Sequence, residues 1–350
     1  MLWLERLFIR TLVDDRQSES YTVRVCAEEK QINHSMKKTA IVTGSEGFIG
    51  SYLVRFLQGK GWNVIGSHQS HRHDPRPKLP NLQFAQCDLR NGQQVEHLFN
   101  AYQPTHVFHL GAQSLPTVSW ADPVGTFESN IMGSLHVFEA IRHMKRRPVI
   151  VSACSSAEYG NVPASAIPVK EEQPLKPLHP YGISKVCLDL IARQYFMDYG
   201  IPAVNVRLFN TTGPGKTDDA PSDFVRRIIR IKKGLISPVL EVGNLTPRRA
   251  FLDVHDTVRG FYLAAMKGKR GEVYNLCASD THQIGDLLRT AIRLSGVKAE
   301  IRQAEHLMRP SDEKIIFGST DKLRKHTGWK PVRSLDQTLK AMIEYWDRVM

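Results

Sequence analysis

Short apolar runs alternate with longer amphipathic stretches along much of this chain. The runs are rich in β-branched residues, which favour strands, whereas the stretches repeat apolar residues at helical spacing. The runs predict strands over residues 39–43, 62–66, 84–88, 105–110, 148–151 and 204–209. The stretches predict helices over residues 48–58, 93–102, 126–144, 184–199 and 222–234. Because strands and helices alternate, we expect an α/β fold with a parallel, doubly wound sheet.

Three glycines stand at the junction of the first predicted strand and helix, in the segment 44–50. Gly44 allows a tight turn, Gly47 lets the backbone approach a pyrophosphate, and Gly50 lets the helix pack closely on the strand. The amide groups at a helix N-terminus attract phosphate. The segment therefore predicts a dinucleotide-binding turn. Its contacting residues would be Gly44, Ser45, Gly47, Phe48, Ile49 and Gly50.

Tyr181 and Lys185 are four residues apart, which places them on one face of a helix. An ammonium group beside a phenol favours the phenolate, so the pair is suited to proton transfer. A phenol with a pKa of roughly 10 needs a decrease of about 3 units, or about 4 kcal/mol, to exchange protons easily near neutral pH. Lys185 would supply part of this decrease, and a ribose hydroxyl or a cationic nicotinamide ring would supply the rest. Without further context, however, a Tyr and a Lys at this spacing are a weak signal, because the pair occurs by chance in many proteins.

Ser155 and Ser156 follow the strand predicted at 148–151. Ligands of open α/β sheets bind at the carboxyl ends of strands, so these hydroxyl groups fall where a ligand is expected. The glycine turn, the serines and the Tyr/Lys pair, in this order, resemble the extended short-chain dehydrogenase/reductase family.

This resemblance implies a Rossmann domain that binds a nicotinamide dinucleotide, followed by a smaller C-terminal α/β domain that binds substrate. It implies that Ser155, Tyr181 and Lys185 are catalytic, and that the last two also contact the cofactor. The further cofactor contacts that it implies follow predicted strands and are Asp88, Leu89, Leu110, Gly111, Ala112, Gln113 and Leu208. Asn130 would position the lysine through water, or else be an ordinary polar residue of a helix.

We expect residues 36–210 to form the Rossmann domain, completed by part of 235–265, and residues 211–350 to bind mainly substrate. Residues 1–35 precede the first strand, and charged residues interrupt their apolar run, which excludes a signal-peptide core. We expect this extension to be poorly ordered and to have no catalytic part. An interaction helix is the alternative.

The end of the second predicted strand selects the cofactor. An acidic residue there would bind the ribose 2′-hydroxyl group of NAD. This chain instead has Ser67, His68 and Arg72 in that region, and these groups suit a 2′-phosphate. We therefore expect NADP(H), with NAD less favoured. Alternatively, Arg72 is a solvated charged residue of a loop and does not bind the cofactor.

Ala157 distinguishes between reactions of the family. In its 4,6-dehydratase members, a glutamate that moves protons at the sugar stands at this position, and alanine cannot take a proton. Stretches over 209–215, 242–249, 251–256 and 309–312 resemble the GDP-6-deoxy-mannose reductase subfamily. The resemblance implies NADPH-dependent reduction of the C4 ketone of GDP-4-dehydro-6-deoxy-D-mannose to GDP-D-rhamnose.

The substrate contacts implied are Ser114, Ser155, Ser156, Asn210, Arg249 and Arg309. Arginine forks match phosphate oxygens, so the two arginines would bind the GDP moiety, with surface salt bridges as the alternative. Ala250 replaces the aspartate that the family has after the residue matching Arg249. A 4,6-dehydratase, a nucleotide-sugar 4-epimerase and a non-catalytic NADP-sensing protein stay open as other functions.

Composition restricts the remaining possibilities. The 350 residues carry a net charge of +12, and no apolar run is long enough to span a bilayer. The five cysteines are scattered, as in proteins of the reducing cytoplasm, and no metal motif occurs. Basic clusters could attract nucleic acid, but no nucleic-acid-binding motif accompanies them, and anionic small molecules are favoured. The family resemblance implies a homodimer, or a tetramer, through helices at 126–144 and 184–199.

Overall fold

A seven-stranded parallel sheet forms the centre of the chain. The computed structural model describes residues 38–69, 80–308 and 315–350, so the extension at 1–35, Arg72 and Arg309 lie outside the described residues. The strands of the sheet are β1 Thr39–Thr43, β2 Asn63–His68, β3 Leu82–Gln86, β4 His106–His109, β5 Val149–Ser155, β6 Ala203–Leu208 and β11 Val273–Leu276. Their order across the sheet is β3-β2-β1-β4-β5-β6-β11. The expected α/β fold with a doubly wound parallel sheet is confirmed.

Helices cover both faces of this sheet and continue into the C-terminal part of the chain. They are α1 Phe48–Gly59, α2 Gly92–Tyr102, α3 Pro116–Ala121, α4 Pro123–Phe127, α5 Gly133–Arg142, α6 Pro180–Tyr199, α7 Ala220–Lys232, α8 Val254–Lys267, α9 Ile284–Ser295, α10 Asp321–Thr327 and α11 Leu335–Val349. One π turn spans Glu128–Met132, and short 3-10 turns span Ser156–Glu158, Ala164–Ala166 and Glu305–Leu307.

Two apolar cores lie on opposite faces of the sheet. On one face, Leu53 and Leu57 of α1 pack with Phe261 of α8. On the other face, Leu98 of α2 packs in a cluster with residues of α5 and α6, among them Leu188. Strand β1 lies between β2 and β4, so the direction of strand order reverses there. This switch point is where open α/β sheets bind ligands.

A third core joins α7, α9 and α11 to the strand β8 in the C-terminal part of the chain. The short strands of this part are β7 Thr211–Thr212, β8 Val239–Val242, β9 Arg248–Arg249, β10 Leu252–Asp253, β12 His282–Gln283, β13 Glu300–Gln303 and β14 Ile315–Ile316. The seventh strand of the central sheet, β11, lies beyond residues 235–265, the range expected to complete it. The division of the chain into cofactor and substrate domains stays a prediction.

Two predicted helices differ from the structure. The helix predicted over 126–144 is interrupted by the π turn at Glu128–Met132. Helix α6 begins at Pro180, four residues earlier than predicted, because proline is tolerated in a first turn and the His179 ring accepts the amide of Gly182 at 3.0 Å. Tyr181 and Lys185 are therefore both helical residues.

A bilayer-spanning helix is not found anywhere in the three described ranges: none of their helices has the required length and apolar character.

Candidate active site

The glycine turn between β1 and α1 is as tight as its sequence predicts. Gly44 has a φ of +66°, and its carbonyl oxygen accepts the amide of Gly47 at 3.0 Å. A Cβ atom on Gly50 would lie 2.1 Å from that oxygen, so a side chain there would force the turn open. Gly44, Gly47, Gly50, Phe48 and Ile49 all line one cavity. The N-terminus of α1 therefore faces this cavity, which fits a phosphate-binding turn.

Ser45 and Ser67 face the interior of the protein instead. The hydroxyl group of Ser45 donates to the carbonyl oxygen of Ser67 at 2.9 Å, and both residues are buried. Neither is among the residues that line the cavity. Their contacts fix the turn against the end of β2.

Asp88, predicted to contact the cofactor, is held by neighbouring side chains. Arg90 donates to its carboxylate at 2.7 Å, and Gln69 donates at 3.2 Å. The hydrogen bonds from Arg90 lower the pKa of Asp88 to about 2, so it is a carboxylate at neutral pH. At the end of β2, Glu46 lies 4.0 Å from the ring of His68, which brings an acid close to the expected 2′-phosphate site.

The turn that follows β4 is fixed from two sides. The Thr43 hydroxyl accepts the amides of Leu110 and Gly111 at 3.0 and 2.9 Å. Leu110 and Ala112 line the cavity, and the side chain of Leu89 packs so closely on Gly111 that a Cβ atom there would meet it at 2.7 Å.

Asn130 joins this turn to helix α6. Its side-chain oxygen accepts the amide of Gln113 at 2.7 Å, and its side-chain nitrogen donates to Ser184 at 2.9 Å. Ser184 directly precedes Lys185. Asn130 lies in the π turn, a distortion that often marks functional sites. The expected action of Asn130 through water stays a prediction, and the structure adds this direct link.

Ser155, Tyr181 and Lys185 meet at one cavity of about 460 Å³. Ser155 ends β5, whereas the other two residues come from the first turns of α6. Lys185 is buried, with its ammonium group donating to the carbonyl oxygen of Ala153 at 2.8 Å and lying 5.8 Å from the centre of the Tyr181 ring. The three residues singled out as catalytic from the sequence are therefore brought together.

Burial determines the acidity of this pair. It raises the pKa of Tyr181 to about 12, although a hydrogen bond with Ser155 acts in the opposite direction. Burial also lowers the pKa of Lys185. The lowered phenol pKa predicted from the sequence requires a bound ribose or nicotinamide ring as well as Lys185, and it stays a prediction.

Glu158 lies behind the cavity wall and does not line it. It is fully buried, accepts the amide of Ser155 at 2.8 Å and accepts Arg207 at 3.0 Å. The equivalence of Ala157 with the dehydratase glutamate stays a prediction, and the carboxylate next to it, Glu158, is held by these two donors. Burial and Asp189 raise the pKa of Glu158, whereas the Arg207 guanidinium and the Ser155 amide, which donate to its two oxygens, favour the carboxylate.

Several predicted substrate contacts face the same cavity. Ser114, Ser156 and Asn210 line it, as does the predicted cofactor contact Leu208. The side-chain nitrogen of Asn210 is buried and has no hydrogen-bond partner within the described ranges, so it is available to an acceptor on a ligand. Arg249 does not line the cavity; its guanidinium donates to the carbonyl oxygen of Arg248 at 2.9 Å.

Lys216, Asp218 and Asp219 also line the cavity and were missed from the sequence. They follow the 209–215 stretch, whose continuation was the available signal. The ammonium group of Lys216 lies 5.4 Å from the centre of the Phe48 ring at the start of α1. The other lining residues that were missed are Leu115, Ala153, Cys154, Phe209 and Thr211.

Metal-binding clusters of three or more His, Cys, Asp or Glu side chains are not found in the part of the chain that the structure describes. The described cysteines, Cys87, Cys154, Cys187 and Cys277, are free thiols.

Comparisons with known proteins agree with this geometry. A family model described as GDP-mannose 4,6 dehydratase matches residues 41–342. GDP-6-deoxy-D-mannose reductase of Pseudomonas aeruginosa is 29% identical over 313 residues, covering 89% of this chain and 98% of that protein.

Two solved structures are similar over the same region. The structure of RMD from Pseudomonas aeruginosa complexed with NADPH has a TM-score of 0.78 at 28% identity and covers 90% of this chain and 100% of its own. The structure of UDP-glucose 4-epimerase of Thermus thermophilus in complex with NAD has a TM-score of 0.78 at 28% identity. The match covers 89% of this chain and 100% of the epimerase chain.

Proposed function

Because this chain belongs to the GDP-mannose 4,6 dehydratase family, we propose that it is a reductase of nucleotide sugars. It is an NAD(P)-dependent enzyme of the short-chain dehydrogenase/reductase type. The proposed reaction is the NADPH-dependent reduction of the C4 ketone of GDP-4-dehydro-6-deoxy-D-mannose, which yields GDP-D-rhamnose. The similarity to the Pseudomonas aeruginosa reductase supports this substrate and NADP(H) as cofactor.

One observation carries the choice of reaction. Ser155, Tyr181 and Lys185 line the cavity, while alanine stands at position 157, where the family resemblance implies the dehydratase glutamate, and Glu158 is bound to Arg207. A dehydratase needs a group that moves protons at C5 and C6 of the sugar, whereas a ketone reductase needs a proton donor only at the carbonyl oxygen. Ser155 and Tyr181 meet the second requirement; of the two acids that line the cavity, Asp218 and Asp219, the latter caps helix α7 by accepting the amide of Ser222.

The residues of the cavity suit this reduction. The cavity would hold NADPH, whose bound form would provide a hydride for the sugar C4 carbon. Tyr181, whose pKa of about 12 keeps it protonated at neutral pH, would donate its proton to the developing alkoxide. Ser155 would hydrogen-bond the same oxygen, and Lys185 would hold the ribose and stabilise the tyrosinate left behind. The amides at the start of α1 would hold the pyrophosphate.

The substrate would lie on the side of the cavity formed by Ser114, Ser156 and Asn210. The unpaired amide nitrogen of Asn210 supports this placement, because it offers a donor to the sugar or its phosphate. We propose that Arg249 and Arg309 bind the GDP moiety. We place this enzyme in the cytoplasm, as a homodimer or tetramer, with residues 1–35 outside the catalytic part.

The test offers purified protein NADPH and GDP-4-dehydro-6-deoxy-D-mannose, then follows NADPH absorbance and identifies the product. Stoichiometric oxidation of NADPH with formation of GDP-D-rhamnose is expected. Consumption of GDP-mannose without net oxidation would instead identify a 4,6-dehydratase, and inversion at C4 without net oxidation a 4-epimerase. Binding of NADPH with no turnover of any of these sugars would favour a sensing protein.

A further inference from the structure

Arg207 ties together the strand and the helix that carry the catalytic residues. It lies near the end of β6 and is buried. Its Nε atom donates to Glu158 at 3.0 Å and to Asp189 at 3.1 Å. Asp189 lies on α6, the helix of Tyr181, whereas Glu158 belongs to the turn that follows Ser155. Two buried carboxylates therefore share one guanidinium.

Glu158 also holds the backbone of Ser155 directly. The Ser155 amide donates to Oε1 of Glu158 at 2.8 Å, and the Ser155 hydroxyl accepts the amide of Ala157 at 3.2 Å. These two contacts form a capping box, which fixes both the main chain and the side chain of the serine. The orientation of the Ser155 hydroxyl thus depends on a carboxylate that never meets the cavity.

We propose that Glu158 is a positioning residue, which holds Ser155 at the angle that its hydroxyl group needs to hydrogen-bond the sugar oxygen. This inference rests on the proposed function, because it concerns the serine of that reaction. Arg207 orients the Glu158 carboxylate, so its second oxygen is left to accept the Ser155 amide. Glu158, the acid next to Ala157, thus positions Ser155 and does not transfer a proton.

The local chemistry supports this role over that of a general packing residue. The Glu158 carboxylate accepts from two donors, the Ser155 amide and the Arg207 guanidinium. A glutamine fills the same volume but presents one oxygen and one amino group. It can satisfy only one of those donors, and its amino group then faces the other. Glu158→Gln should therefore loosen Ser155 without opening a cavity in the core.

Asp189→Asn is the matched control. It removes the other buried carboxylate that accepts from Arg207, and no hydrogen bond joins Asp189 to Ser155 within the described residues. We expect both variants to lower the melting temperature. Glu158→Gln should lower kcat about tenfold or more, with the Kd of NADPH unchanged, as is typical when a residue that orients an active group is lost. Asp189→Asn should keep kcat within about threefold of wild type.

A double-mutant cycle with Ser155→Ala separates positioning from a structural role. If Glu158 acts through the serine hydroxyl, Glu158→Gln will change kcat little in the Ser155→Ala background, because the group that it positions is gone. Full additivity of the two losses would overturn the inference, as would an equal loss of kcat in Asp189→Asn and Glu158→Gln.

The same cycle can be measured on binding of GDP-mannose to the protein loaded with NADP⁺, where Ser155 meets the C4 hydroxyl. Non-additive losses of affinity would support the inference, and additive losses would overturn it. Should Glu158→Gln fail to fold, Glu158→Asp takes its place in both cycles and is judged by the same criterion. Absence of NADPH oxidation by the wild-type protein would count against the proposed function alone, since the binding cycle needs no turnover.

Discussion

The ammonium group of Lys185 donates to the carbonyl oxygen of Ala153 at 2.8 Å, in the middle of the strand that ends at Ser155. This contact holds the lysine beside the Tyr181 ring, where it lines the cavity. It also joins the strand that ends at Ser155 to the helix that carries Tyr181 and Lys185. Lys185 is thus part of the scaffold as well as part of the proposed chemistry.

Tyr181→Phe should abolish most turnover and leave the cofactor site intact. The variant removes only the proton donor, so we expect kcat to fall by about 10² to 10⁴. NADPH binding, measured by fluorescence titration, should keep its wild-type Kd. A variant that turns over at the wild-type rate would contradict the assignment of Tyr181 as the proton donor.

The pH dependence of kcat should report Lys185 on its basic side. Burial lowers the pKa of this lysine below the ordinary 10.5, although Cys154 and Glu158 act in the opposite direction. A lowered pKa means that the ammonium is present at low pH and is lost as pH rises through that value. Tyr181, with a pKa of about 12, is still protonated there. We therefore expect kcat to fall at a pH below 10.5.

Lys185→Arg provides the control for this profile, because a guanidinium keeps its charge throughout the range. The kcat that the Lys185→Arg variant retains should not fall as pH rises through this range. A decrease at the same pH in both proteins would assign it to another group.

Gly50→Ala should weaken cofactor binding and destabilise the fold. The added Cβ atom would lie 2.1 Å from the carbonyl oxygen of Gly44, so the turn must shift, at a cost of about 1–3 kcal/mol. Gly59→Ala, at the other end of the same helix, is the control, because a Cβ atom there meets nothing within 4 Å. Alanine should leave stability unchanged or raise it by about 0.5–1 kcal/mol at Gly59. Thermal unfolding and NADPH titration of the two variants make the comparison.

Local motifs could be predicted from the sequence, because the rules that govern them act over a few residues. The glycine turn and the Tyr/Lys pair are of this kind, and the structure places both at the cavity. Glu158 and Arg207 are 49 residues apart and come into contact only because β5 pairs with β6. No local sequence pattern therefore predicts their contact. The burial that raises the pKa of Tyr181 could not be predicted from the sequence for a related reason, since burial is a property of the assembled fold.

Exposed apolar side chains on the short helices α3 and α4 and on α6 should contribute to the subunit interface. Trp120 of α3, Val124 of α4 and Met197 of α6 are exposed by 65%, 66% and 62%, and α3 and α4 both pack on α6. Such surfaces are typical of protein contacts. We expect a homodimer that Met197→Glu dissociates, because a charge would have to lose its water in the contact.

Leu235→Glu is the matched control for this interface. Leu235 is also exposed, by 59%, but it follows α7 in the C-terminal part of the chain. Sedimentation velocity at several concentrations should show a dimer for wild type and Leu235→Glu, and a monomer for Met197→Glu. Dissociation by Leu235→Glu alone would place the interface at α7 instead. A monomeric wild-type protein would contradict the predicted homodimer.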